Sequence, residues 1–314
     1  MRLLSYIHII RPKNISIVAV SQILIYLIYL LPLRGLTPLE LDGYLWILFV
    51  LDTMLIAAGG YIINDIADIR ADEINKPEKL FIGKGKLSLP RAWVYYIVLV
   101  VFGFAIAFYI AWKIEKMLLL SIYPVAVLLL YLYSFYFKRM PLLGNLVVSI
   151  FCAFVPAIIW YAEYDMVESI QSINNDYYTM VVNVFIAYIV FAFVSTLVRE
   201  IIKDIEDVEG DLASDFSTLP IVLGKERARV VALFFSIFLL FSYGLWFRLN
   251  SEANLYVFSC IVLVGLILPT MSIIRQIYRA KQQADYSSIS KRLKYLMIAS
   301  LFIFLCIPYI SKLM

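Results

Sequence analysis

Nine stretches of about 20 predominantly apolar residues recur along the chain, and no other feature restricts its fold as strongly. They fall near 15–33, 44–63, 92–112, 117–136, 142–161, 179–198, 228–247, 254–274 and 293–311. A segment of that length crosses the hydrocarbon core as a helix and satisfies its own backbone hydrogen bonds there. Composition agrees: 63% of residues are hydrophobic and only 16% charged, where a soluble domain carries about a quarter. The expected fold is all-α, a polytopic membrane protein with nine transmembrane helices forming one domain over residues 1–314. The first span is longer than a signal-peptide core and has no small-residue cleavage site after it, so it is expected to be retained.

A disordered chain, a secreted disulfide scaffold and an ordinary cytosolic enzyme are all excluded by the same figures. The net charge of +4 makes no case for nucleic acid, and no feature calls for an obligate protein partner. Cys152, Cys260 and Cys306 sit in apolar stretches without a C-x-x-C pair, and His8 is the single histidine, so no His or Cys metal cluster is expected.

Basic residues orient the chain. With nine spans, 22 of the 27 Lys and Arg residues fall on the side of the N-terminus; Arg34, Lys113, Lys116, Arg248 and Lys312 fall on the other. The N-terminus is therefore expected in the cytoplasm and the C-terminus outside, in the cell's inner membrane. The 162–177 segment, with Glu163, Asp165, Glu168 and Asp176 and no base, fits an outer loop. Residues 64–91 and 199–229 are read as two long cytoplasmic loops dense in charge. Packing of spans two and six would bring both over one cavity.

Two acidic clusters carry the chemistry. The first reads NDIADIRAD, Asn64 to Asp72. If the second span continues as a helix, Asn64, Asp68 and Asp72 recur every four residues on one face. The second lies within REIIKDIEDVEGD and holds Glu200, Lys203, Asp204, Asp207 and Asp211. Carboxylates so crowded repel one another, and divalent cations relieve the repulsion. Oxygen ligands at this spacing suit Mg²⁺, which takes one or two carboxylates together with waters and phosphate oxygens. A diphosphate approaches such carboxylates only through the cations.

The two motifs resemble those of the UbiA superfamily of intramembrane prenyltransferases. NDIADIRAD is similar to its N-D-x-x-D-x-x-x-D motif and DVEGD to its second, D-x-x-x-D. The resemblance runs from Arg11-Pro12-Lys13-Asn14 to the last span. YSFYFKRMPLLGN (Tyr133 to Asn145) and REIIKDIEDVEGDLASDFSTLP (Arg199 to Pro220) resemble the branch that adds a second geranylgeranyl ether to a glycerol-phosphate lipid. The chain departs from that pattern at KPEKLFIGKGK, where Lys79, Lys84 and Lys86 stand in a segment that many members keep rich in Arg-Pro and Ser-Gly.

The resemblance implies an allylic prenyl diphosphate as donor, a lipophilic acceptor, the bilayer as surroundings and Mg²⁺ as cofactor. Asn64, Asp68 and Asp72 would hold one metal, and Asp207 and Asp211 another. Arg70, Lys84, Lys138 and Lys203 would neutralise diphosphate oxygens. Aromatic faces stabilise a developing allylic cation; Tyr133, Tyr136 and Tyr61 are placed for this. Asp204 or Glu200 would take the acceptor proton. The segment between the first motif and the third span would cover the cavity.

Other residues are assigned locally. Asp52, in mid-span, is expected to make a structural hydrogen bond to a neighbouring helix. Gly59 and Gly60 should allow close helix packing. Asn145 either caps the fifth span or points into the site. Pro90 should open the third span after Ser88. Arg275 to Lys294 reads as a basic loop near anionic lipid. Two other readings remain: an aromatic acceptor, as in quinone biosynthesis, and a cation transporter. Against the transporter, the clusters sit at helix ends, whereas carrier sites lie near the midplane. A CDP-alcohol phosphotransferase lacks support because its D-G-x-x-A-R opening is missing.

Overall fold

The computed structural model describes residues 2–69, 72–73, 81–83, 87–249 and 260–312, and within these each apolar stretch is helical. The helices are α1 (Arg2–Ile9), α2 (Pro12–Ile25), α3 (Tyr44–Ala67), α4 (Leu89–Lys113), α5 (Ile122–Phe135), α6 (Leu143–Ala162), α7 (Tyr164–Ile173), α8 (Asn175–Ala213), α9 (Leu219–Leu223), α10 (Lys225–Leu249), α11 (Leu268–Arg279) and α12 (Gln283–Lys312). Single π turns, Tyr26–Leu30 and Leu263–Ile267, follow α2 and precede α11. Among the described residues there is no strand, only an isolated bridge between Ile82 and Leu87.

Eight helices among the described residues are long and apolar enough to cross a bilayer, one fewer than expected. The ninth expected span, 293–311, is the later part of α12. Its helix opens on a charged stretch, with Asp285, Lys291, Arg292 and Lys294. α4 begins as anticipated, with Pro90 in its first turn and Ser88 in extended backbone just before it, although the Ser88 hydroxyl makes no capping bond.

Three expected loops prove to be largely helical, and of the basic segment Arg275 to Lys294 only residues 280–282 lie between α11 and α12. Within 162–177 lies α7, whose Met166, Val167 and Ile170 are buried on one side. The larger correction concerns 199–229. α8 runs for 39 residues, roughly 58 Å at 1.5 Å per residue, about twice a hydrocarbon core. The reason is in its pattern. Leu197, Val198, Ile201, Ile202 and Ile205 continue a helical apolar face past the end of the hydrophobic run, and all five are buried. The second motif therefore rides on a helix, not on a loop.

The chain forms two compact units. The first comprises Met1–Ile23, Leu39–Met140 and Glu209–Phe216; the second comprises Leu24–Pro38, Pro141–Val208 and Ser217–Met314. In the first, α3 packs on α4 and α5, and α1 on α3. Gly60 admits the Leu130 side chain, which would lie 3.2 Å from an added Cβ, and Gly59 faces Tyr96. Gly103 is tighter still: a Cβ there would fall 2.2 Å from the Tyr123 hydroxyl, which donates to the Val100 carbonyl at 2.9 Å. In the second unit α8, α10, α11 and α12 share one apolar core containing Phe191, Ile201, Tyr243 and Leu293. Asp52 departs from expectation. Among the described residues it makes no hydrogen bond to a neighbouring helix, and its Oδ1 is buried without a hydrogen-bond partner there.

Candidate functional site

In the first unit the motif geometry follows from unbroken helical bonding across the end of α3. The Asp68 amide donates to the Asn64 carbonyl at 2.9 Å, and the Asp72 amide to the Asp68 carbonyl at 2.8 Å. These i→i−4 bonds hold residues 64, 68 and 72 one turn apart, although Asp68 itself has left helical dihedrals (φ −92°, ψ 0°).

Asp68 is buried and asymmetrically satisfied. Its Oδ2 accepts from Asn64 Nδ2 at 2.8 Å and from Lys138 Nζ. Lys138 also reaches Asn64 Oδ1 at 3.5 Å. The other oxygen, Oδ1, is buried with no hydrogen-bond partner among the described residues. Leaving a carboxylate oxygen so costs about 1–3 kcal/mol or more. Lys138 is carried by a 3₁₀ turn, Phe137–Arg139, that follows α5. Pro141 helps end that turn, because the residue before a proline avoids helical dihedrals, and Met140 is extended.

Arg11 is a member of this site that the sequence reading quoted but gave no role. It sits in the left-handed region (φ 54°), pairs with Asp65 Oδ1 at 2.6 Å and lies 4.8 Å from the centre of the Tyr61 ring. The Tyr61 face is therefore already taken by a cation. Tyr133 is half-buried on α5, and Tyr136 is 55% exposed at its end.

The end of α8 also belongs to this unit. The Phe216 amide donates to the Asp211 carbonyl at 2.9 Å and the Asp215 amide to the Leu212 carbonyl at 3.2 Å, with Asp215 left-handed (φ 57°). This is a Schellman terminus with Asp where Gly is usual. It delivers the buried Phe216 ring to Lys138 Nζ, 5.7 Å from the ring centre, and to the Arg139 guanidinium at 5.4 Å.

The rest of the second motif lies in the second unit. Glu200 is fully engaged: Arg199 donates to Oε1 at 2.7 Å and Lys203 to Oε2 at 2.9 Å. Asp204 Oδ2 accepts from Asn145 Nδ2 at 2.8 Å, so Asn145 contacts the second motif, and α6 has no side-chain cap. Asp204, Asp207 and Asp211 share one face of α8. Gln283 ties the start of α12 to the motif by donating to the Glu206 carbonyl at 2.9 Å. Of the expected diphosphate contacts, Arg70 and Lys84 lie outside the described residues, as do Lys79 and Lys86 of the expected cover.

Among the described residues no three His, Cys, Asp or Glu side chains converge on one point, so neither unit presents a closed protein cage for a metal. The donor set fits Mg²⁺ all the same. That ion binds through one or two carboxylates and leaves most of its positions to water and phosphate. Asp68 would supply one such carboxylate, its other oxygen being held by the Asn64 amide.

Comparison with known proteins bears on these features. The profile described as "UbiA prenyltransferase family" matches residues 17–306. Digeranylgeranylglyceryl phosphate synthase of Thermococcus gammatolerans is 31% identical over 76% of this chain and 75% of its own length. The enzyme of the same name from Methanosphaera stadtmanae is 29% identical over 95% and 96%. Among solved structures, one described as digeranylgeranylglyceryl phosphate synthase in membranes superposes with a TM-score of 0.66 at 23% identity, covering 97% of each chain. A UbiA homologue from Archaeoglobus fulgidus bound to GPP and Mg²⁺ superposes at 0.58 with 17% identity, over 96% of this chain and 99% of its own. At these identities the structural likenesses establish the fold.

Proposed function

The chain belongs to the UbiA prenyltransferase family and is an integral membrane enzyme, and from that premise we propose that it transfers a geranylgeranyl group from geranylgeranyl diphosphate to geranylgeranylglyceryl phosphate, with Mg²⁺. The similarity to digeranylgeranylglyceryl phosphate synthases supports the acceptor, and the donor set supports the metal. The reading takes residues 1–314 as one catalytic domain. Its N-terminus is cytoplasmic, on the side of 22 of the 27 basic residues, in the inner membrane.

The observation that carries the reading is Asp68: one oxygen held by Asn64 and Lys138, the other buried and open. Asn64, Asp68 and Asp72 would hold one ion, and Asp207 and Asp211 another. When bound, Mg²⁺ supplies Lewis-acid charge neutralisation at the diphosphate. Lys138, Lys203, Arg70 and Lys84 add positive charge toward its oxygens. The allylic C–O bond breaks, and the diphosphate leaves with the electron pair. Tyr133 offers a ring face to the positive carbon. The acceptor hydroxyl oxygen forms the new ether bond and gives up its proton. Asp204 is the better base for that proton. Both Glu200 oxygens are already engaged, by Arg199 and Lys203, while the Asn145 amide orients Asp204.

The test is an assay of purified protein with Mg²⁺ and both substrates, with Asp68→Ala and Asp207→Ala alongside. Diphosphate release coupled to a diether lipid is expected, lost in both variants and on adding EDTA. Diphosphate release with an aromatic acceptor in place of the lipid would refute the acceptor assignment. Cation flux in proteoliposomes with no transfer to any acceptor would refute the whole reading.

A further inference from the structure

Lys138 is held from two sides by groups of opposite character. On one side is the Asp68 carboxylate, an ion pair that cancels its charge. On the other is the Phe216 ring, 5.7 Å from the ammonium. A ring face attracts a cation through its quadrupole and leaves the charge undiminished. The ring does not arrive there by general packing. It is the residue after the left-handed Asp215, five past Asp211, placed by the two backbone bonds that close the end of α8. It is only 7% exposed, and Arg139 lies against it as well, at 5.4 Å. The turn that closes the second motif thus delivers an uncharged anchor to the lysine that contacts the first.

We propose that Phe216 is a positioning residue for Lys138: its ring fixes the ammonium beside Asn64 and Asp68 and keeps it there when the Asp68 carboxylate turns to another cation. This rests on the assignment of Lys138 to a diphosphate. An anchor that carried negative charge would compete with an anionic substrate for the lysine; an aromatic face does not. A purely aliphatic side chain at 216 would preserve apolar contact and lose the directional hold.

The test uses the full-length protein in detergent with two readouts. The first is the rate of Lys138 acetylation by an N-hydroxysuccinimide ester, read by peptide mass spectrometry with Lys113 and Lys203 as internal references. The second is the affinity for inorganic diphosphate in the presence of Mg²⁺, by calorimetry. Phe216→Leu and Phe216→Met should accelerate Lys138 labelling relative to the references by about two- to thirtyfold, the range a contact of this kind corresponds to. They should weaken diphosphate binding by a similar factor. Phe216→Tyr and Phe216→Trp, which keep a ring face, should stay near wild type in both.

Equal labelling of Lys138 in wild type and in both aliphatic variants would overturn the proposal. So would acceleration shared by all three lysines, which would make Phe216 a support of the fold alone. If wild type binds no diphosphate, the functional reading falls, and the labelling ratios still decide whether Phe216 positions Lys138.

Discussion

Replacing Arg11 with Met tests the least expected contact of the first motif. The Arg11 guanidinium meets Asp65 Oδ1 at 2.6 Å, with side-chain exposures of 40% for the arginine and 7% for the aspartate. The asymmetry sets the magnitude. Breaking a fully buried pair costs roughly 3–5 kcal/mol, because it strands a desolvated charge. An exposed pair is worth roughly 0–1 kcal/mol. Here the charge left behind is the buried one, but solvent already screens its partner, so the expected loss is about 1–3 kcal/mol, the range of a hydrogen bond to a charged group.

The cost should lie in Asp65 and not in the missing arginine. Asp65→Asn on the Arg11→Met background should therefore recover most of the loss. Equilibrium unfolding in mixed micelles of the wild type, the two single variants and the double variant closes the cycle. A loss in Arg11→Met within about 0.5 kcal/mol of zero, or a double variant no more stable than that single one, would refute the argument.

Gly103→Ala should cost about 2–4 kcal/mol, from overpacking together with the lost Tyr123–Val100 bond, because the new Cβ would fall 2.2 Å from the Tyr123 hydroxyl. Tyr123→Phe removes the hydroxyl but leaves ring carbons 2.9 and 3.0 Å from the new Cβ, so the double variant should recover part of the loss, and a double variant no better than Gly103→Ala would sink the account. Asp285 predicts a pH dependence. Its Oδ2 accepts from the amides of Gln282 and Lys281, which holds its pKa below the ordinary 3.8. A depressed carboxylate stabilises the fold above the unfolded pKa and loses that contribution as pH falls through the folded one. Wild type should therefore exceed Asp285→Ala in stability at pH about 6, and the gap should close as pH drops below about 4. A gap unchanged over that range would refute the assignment.

The parts of the structure legible in the sequence are those set by short-range periodicity. Apolar runs located the spans, and the spacing of Asn64, Asp68 and Asp72 located a common face that the i→i−4 bonds through Asp68 preserve. Where the reading went wrong, a charged segment was taken for a loop. The charges of REIIKDIEDVEGD drew attention from Ile201, Ile202 and Ile205, which carry the helical period onward and are buried. Hydropathy summed over a window falls when one face of a helix turns polar, while the moment of the other face persists. The same summation placed a loop where α7 buries Met166, Val167 and Ile170.

What stayed hidden is contact between residues far apart in the chain. Arg11 and Asp65 are 54 positions apart, and Lys138 lies 70 from Asp68. Nothing in one sequence couples them, because each is an ordinary charged residue in its own segment. Phe216 was harder still to single out among 21 phenylalanines. A glycine at position 215 would have marked the turn that places it, since left-handed backbone costs glycine nothing. Asp215 takes that conformation instead, which Asp tolerates better than most residues. The signal for the turn was thus a residue type that elsewhere in the same segment signals metal binding. Position 215 lies beyond the second motif and serves the backbone turn that sets Phe216 beside Lys138, while Asp207 and Asp211 lie one turn apart on α8, on the face a metal would use.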